Sequence, residues 1–221
     1  DLVEDNVFCY VGNIEIEDPS PWTYEAINGY IADESIDIGA AGEGFKTAVV
    51  ANRQVYVGNV RRQNEHGETI TEGDAMYKSM PGKFDTFPLS RKIVASVQDG
   101  DEIIKLAEYA DRILQFKKNK LHIINISQDA EFLEDTFMHK GVEHPSAVCK
   151  TDYGIAWANY HGCYLYDGKS VRNLLERDGL RVIDEDLWDM FVTGTTTVAY
   201  MPRQRKILVG RETRGTNTIT G

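Results

Sequence analysis

Four segments of the chain repeat one pattern, and that repeat limits the fold more than any other feature. Each has a short apolar strand, a polar turn and a second strand rich in aromatic or β-branched residues. They are Ala48–Val60 (AVVANRQVYVGNV), Arg112–Ser127 (RILQFKKNKLHIINIS), Gly154–Gly168 (GIAWANYHGCYLYDG) and Thr197–Gly210 (TVAYMPRQRKILVG). Each turn falls where Asn, Lys, Arg or Gly interrupts the apolar run, which is the signal of a β-hairpin. Aligning Val49, Leu114, Ala156 and Ala199 gives intervals of 65, 42 and 43 residues. A period near 42 with a hairpin in every unit is that of β-propeller blades. The pattern therefore predicts an all-β chain, a β-propeller-like array of antiparallel blades, incomplete or fragmentary. An inserted loop at about 61–85 accounts for the longer first interval, because RRQNEHGETITEGDAMYKSMPGKFD is polar and carries Gly and Pro.

The outer strands are fainter. Lys92–Val97 (KIVASV) and Glu102–Leu106 (EIIKL) bracket QDGD, which reads as a turn. Glu131–Met138 and Asn173–Glu176 occupy the equivalent place after the second and third hairpins. Gly100–Arg112 has some helical periodicity, and Glu185–Val192 (EDLWDMFV) reads as a short amphipathic turn. Residues 1–38 form an acidic stretch with few strand signals, expected to be a partial blade or an edge segment that packs elsewhere. Residues 39–221 hold the repeats, and the tail Arg211–Gly221 resembles the start of a further unit.

Composition narrows the function classes. The 221 residues carry 24 Lys and Arg against 35 Asp and Glu, a net charge of −11, and 42% are hydrophobic. This is the profile of a globular protein with a real core, not of a disordered chain. Such an acidic balance argues against a phosphate-neutralising surface and against a polybasic membrane anchor. No apolar run approaches the roughly 20 residues of a membrane-spanning helix. Beginning at Asp1, the chain is expected to be processed, trimmed or part of something longer. Cys9, Cys149 and Cys163 are too few and too scattered for a disulfide scaffold, and read as small buried hydrophobes.

Reactive chemistry finds little purchase. His139 and His144 flank KGVE without a Cys pair or an HExxH arrangement. His66 and His161 read as loop residues, and His122 alternates with Leu121 and Ile123 on a strand. Glycoside hydrolysis would need two carboxylates at a set separation. Glu134 and Asp135 are adjacent on a strand and point to opposite faces, while Asp184, Glu185 and Asp186 read as a solvated loop or helix start. No GxSxG or GxxxxGK[ST] motif occurs, and GAAGEGF (Gly39–Phe45) lacks the Lys-Ser/Thr of a phosphate loop. QDGDE (Gln98–Glu102) echoes the start of a calcium loop without its closing Glu, so it reads as a hairpin turn. Trp22, Trp157 and Trp188, with Tyr10, Tyr24, Tyr30, Tyr56, Tyr160, Tyr164 and Tyr166, offer material for a sugar or nucleobase platform. Tyr164 and Tyr166 share a strand face, where packing is the expected role. No residue is assigned as catalytic, cofactor-binding or metal-ligating, and no enzyme activity or cofactor is expected.

Five runs carry a resemblance. GKFDTFP (Gly82–Pro88), VQDGDEI (Val97–Ile103), LQFKKNKLHIINIS (Leu114–Ser127), FLEDTF (Phe132–Phe137) and CYLYDGKSVRNLL (Cys163–Leu175) resemble the tail nozzle, or tail tubular protein B, of short-tailed bacteriophages and related virion stabilisation proteins. The similar stretch covers roughly Tyr24 to Gly179. The resemblance implies a structural virion protein in a hexameric ring below the portal and adaptor, with tail fibres or spikes attached nearby and the genome leaving through its channel. Members of that family are typically several times longer. An acidic lumen would repel phosphate and let DNA slide without specific binding, whereas the plainer reading of the charge is solubility. The other class to weigh is a carbohydrate- or peptide-binding propeller module for host-surface recognition, using the 61–85 loop. A phage-borne depolymerase comes third.

Overall fold

A computed structural model describes residues 44–63, 68–84, 87–95, 100–128, 130–192 and 195–211, and within them the chain is all-β with one short α-helix. It divides into two compact units, one running to Gly141 and the other from Val142. The expected boundary between residues 38 and 39, and the tail beyond Arg211, lie outside the described residues.

The first unit contains two sheets, each of four antiparallel strands in sequence order. One is β1 (Gly44–Ala51), β2 (Gln54–Gln63), β3 (Thr69–Lys78) and β4 (Lys92–Val94). The other is β5 (Ile103–Tyr109), β6 (Arg112–Lys117), β7 (Lys120–Asn125) and β8 (Phe132–Met138). Both first hairpins turn on two residues in the left-handed region, Asn52 and Arg53 (φ 48° and 59°), then Ala110 and Asp111 (φ 52° and 56°). Turns of this hand match the twist of the strands they join. Arg112 donates to the Ala110 carbonyl at 2.8 Å, which helps hold an alanine where it is rarely found.

Apolar side chains weld the sheets together. Tyr56 and Met76 of the first share a core with Ile103, Leu106, Ile113 and Ile124 of the second. The first strands, β1 and β5, lie against each other, and the Leu106 amide donates to Thr47 Oγ1 at 3.0 Å. Gly58 permits this approach: a Cβ there would come within 3.2 Å of both Ile103 and Leu106. Asp101, just before β5, accepts from the amides of Lys118 and Asn119 at 2.9 Å each and so caps the β6–β7 turn.

The second unit holds a third four-stranded meander: β9 (Val148–Thr151), β10 (Gly154–Asn159), β11 (Gly162–Tyr166) and β12 (Val171–Asn173). A small hairpin, β13 (Glu176–Arg177) and β14 (Leu180–Arg181), leads to helix α1 (Glu185–Phe191), and a last hairpin follows, β15 (Thr197–Met201) and β16 (Lys206–Gly210). Asp184 caps α1 by accepting from the Asp186 amide at 3.0 Å. Trp188 fastens the helix down, its indole N–H donating to the Asn159 carbonyl at 2.9 Å. Ala156, Ala158 and Cys163 form one core with Leu175, Trp188, Val192 and Val198. β15 lies against β9, as β1 lies against β5.

Three expectations need correction. Much of the stretch read as an inserted loop is the ten-residue strand β3, whose Ala75, Met76 and Tyr77 are fully buried. Its polar first half, and Gly73, gave it the look of a loop. Lys92–Val97 and Glu102–Leu106 are not partners across a QDGD turn. β4 closes the first sheet and β5 opens the second, so those residues join two sheets. Finally, Leu114 and Ala156 lie on second strands, whereas Val49 and Ala199 lie on first strands. Aligned at the turn after each first strand (Asn52, Ala110, Asp152, Pro202), the intervals are 58, 42 and 50 residues. The 42-residue spacing thus belongs to one pair of sheets, because sheet-to-sheet connections vary in length. Gly100–Arg112 is strand and turn, and Glu185–Val192 is largely helical, as its amphipathic pattern suggests.

Candidate functional site

The second unit carries an open apolar groove of about 520 Å³. β16 contributes Ile207 and Val209, α1 contributes Trp188 and Phe191, and Cys163 and Leu175 close its floor. The groove exists because α1 has only seven residues and covers only part of the sheet face that Trp188 packs against. Leu187 and Met190 stand on its helix at 59% and 67% exposure, and Leu180 and Val182 are exposed nearby. Leu187 itself lines the groove, so part of this exposed apolar surface is continuous with it. Burial pushes the Cys163 thiol up to about 11, so it stays protonated and is a wall rather than a nucleophile.

The first unit holds two charged clusters instead. Glu72 accepts from Arg62 at 3.1 Å, from Lys92 at 2.8 Å and from the Tyr77 hydroxyl. Burial opposes its ionisation, but the hydrogen bonds from Lys92, Tyr77 and Arg62 outweigh it and hold the carboxyl below its usual range. Burial and the same carboxylate push Tyr77 up. Glu131 takes both oxygens to Lys78, at 2.6 and 2.7 Å, and accepts from Tyr56 at 3.1 Å. Both carboxylates are enclosed by cations and phenols, an arrangement that ties strands together.

The residues weighed from the sequence scatter over the fold. His122 is buried on β7 with Nδ1 2.9 Å from Thr136 Oγ1. His139 sits in the turn after β8, and His144 caps the short turn Pro145–Ala147 through its ring, accepting from the Ser146 amide at 3.2 Å. His161 lies in the β10–β11 turn, where its amide donates to Asn159 Oδ1 at 2.9 Å. Among the described residues no three His, Cys, Asp or Glu side chains converge as a metal site. A β-bulge opposite Ile123 and Ile124 breaks the alternation assumed for Glu134 and Asp135. Glu134 there takes up Arg112 and Asn125, both at 2.9 Å, and Asp135 caps its neighbour's amide. Cys149 and Cys163 are free and flank β10, two strands apart. Trp157 and Tyr164 pack in the core with ring centroids 5.4 Å apart, and Tyr166 is buried beside them. Tyr56 is buried as well, and Tyr160 is half-exposed at a turn. His66, Cys9, Trp22, Tyr10, Tyr24, Tyr30 and most of GAAGEGF lie outside the described residues.

The groove itself escaped the sequence reading. Its signals were a final hairpin without outer strands and an amphipathic turn whose apolar residues outnumber one buried face. Compared with known proteins, the chain matches no family model, and no curated protein aligns with it significantly.

Proposed function

We propose that the chain is a structural component of a short-tailed phage tail, an arc of β-propeller in the nozzle that serves as wall, joint and DNA conduit. The observation that carries this reading is topological. Three consecutive meanders of four strands precede a hairpin, and within each unit the first strand of one sheet lies against the first strand of the next. Blades arranged around an axis require that order. The ordered tail-like runs from Gly82 to Leu175 and the net charge of −11 support the virion assignment, since an acidic wall does not hold phosphate. The enclosed states of Glu72 and Glu131 support a non-catalytic role. In this reading the chain works as a homo-oligomeric, hexameric ring beside the tail adaptor and fibres or spikes, in the virion, with the genome passing transiently.

Immunogold electron microscopy on native particles tests it. Label confined to the distal tail is the expected result, and particles without label, with the protein free in the lysate, would overturn it. One observation favours a second reading, a peptide-binding module for host-surface recognition: the apolar groove of the second unit. The first basis for that alternative is weaker now, because β3 occupies much of the 61–85 stretch.

A further inference from the structure

The first hairpin turn of the second unit carries an aromatic side chain that the core does not use. Asp152 and Tyr153 link β9 to β10, and the Tyr153 ring is 47% exposed. It meets Tyr200 of β15, with ring centroids 6.5 Å apart and planes at 85° to each other. The Tyr200 hydroxyl donates to Asp152 Oδ2 at 3.0 Å, which holds the carboxylate against the pair. Among the described residues neither ring joins the core built on Ala156, Trp188 and Val198. The corresponding turns of the first unit, Asn52–Arg53 and Ala110–Asp111, bear no aromatic residue. Two perpendicular rings at the surface thus form a corner, an open aromatic face beside a fixed acceptor.

Charge supplies the rest of the site. The β15–β16 turn begins two residues after Tyr200 and carries Arg203 and Arg205, with Lys206 opening β16, all three exposed. No acidic residue stands between Asp189 and Arg211. Arg205 reaches the neighbourhood of the Tyr200 hydroxyl. Partial burial and the bond to Asp152 push that hydroxyl up, and the guanidinium works against them.

An aromatic face, an acceptor and a guanidinium on one small surface suit a sugar ring. The C–H face of a pyranose packs on tyrosine, its hydroxyls donate to a carboxylate, and arginine takes a sugar carboxylate in a two-pronged bond. A quaternary ammonium would suit the two rings and Asp152, but Arg205 repels it. A neutral sugar leaves the basic turn unused.

We propose that Asp152, Tyr153, Tyr200 and Arg205 form a binding site for a hexuronic acid unit of an acidic polysaccharide. Tyr153 is the stacking platform, and Asp152 accepts from ring hydroxyls. Tyr200 holds both in place, and Arg205 pairs with the uronate. The site lies wholly within the second unit. It stands apart from the tail assignment, which the labelling of particles tests on its own.

Nuclear magnetic resonance on the full chain is the test, with a short oligomer of galacturonic acid as the probe. Amide signals of residues 152–154 and 203–206 are expected to shift on titration, and those of α1 to stay. Tyr153→Ala, on an exposed turn, should weaken binding at least about tenfold while the rest of the spectrum is retained. Arg205→Gln should remove the preference for galacturonate over a glucose oligomer of the same length. In the parent chain, added salt should weaken galacturonate binding. If Tyr153 only pins the turn to β15, Tyr153→Ala will lower the melting temperature, and galacturonate will shift no signal in either protein. That result, equal affinity for the glucose oligomer, or shifts produced by choline and not by galacturonate would overturn the proposal.

Discussion

At the residue scale, Gly154 and Glu72 do work that other side chains cannot. Gly154 opens β10 at φ 141°, and a Cβ there would lie 1.8 Å from the Tyr166 carbonyl oxygen. Neither the backbone angle nor the space admits alanine. Gly154→Ala is expected to cost about 3 kcal/mol or more, read as a lower urea midpoint at unchanged slope. Glu72 acts through charge. Its folded-state value lies below the ordinary 4.5, so its contribution is present above that value and disappears as the pH falls through the folded-state value. Glu72→Gln should therefore lose roughly 1–3 kcal/mol at pH 7 and show a flatter stability profile below about pH 4.5 than the parent. Equal losses at pH 7 and pH 3 would contradict the electrostatic account.

At the scale of elements, β3 decides whether the first sheet is complete. Met76 is fully buried between two sheets, so Met76→Ala should cost roughly 2–5 kcal/mol in chemical denaturation. A loss near zero would mean that this stretch is the loop its composition suggests. The hairpins were legible because they concentrate apolar residues on both sides of a turn. Tyr164 and Tyr166 show the logic well, sharing the buried face that their spacing requires. β3 was not legible because only Ala75–Tyr77 sit deep in the core, and Thr69–Asp74 are the kind of residues a solvent-facing strand and a loop share. The groove was still harder to foresee, since it is bounded by residues as distant as Cys163 and Val209. Hydrophobic periodicity says which face of an element is apolar, not whether another element covers it.

At the scale of the whole molecule, the two units are held by different means. The enclosed Glu72 and Glu131 clusters belong to the first, with side chains only 10–16% exposed in the Arg62–Glu72 and Lys78–Glu131 pairs. The ion pairs of the second lie nearer solvent, as in Arg177 with Asp178 at 85% and 90%, and contribute little. Its core rests on Trp157, Trp188 and their apolar neighbours. In a Trp22→Phe background, acidification from pH 6 towards pH 3 is therefore expected to erode the far-ultraviolet β signal before Trp157 and Trp188 emission shifts. Simultaneous loss by both probes would show that the units unfold as one.

The meander order has a bearing on how the chain comes off the ribosome. Each strand of the three full sheets bonds to the strand made just before it, and no pairing has to wait for residues far downstream. Contacts so local lower the entropic barrier that slows most all-β proteins. Each sheet has a partner made immediately before or after it, so structure can accumulate vectorially as the chain is synthesised. In such a process β16, the last described strand, would be made after all three full sheets have had the chance to pair.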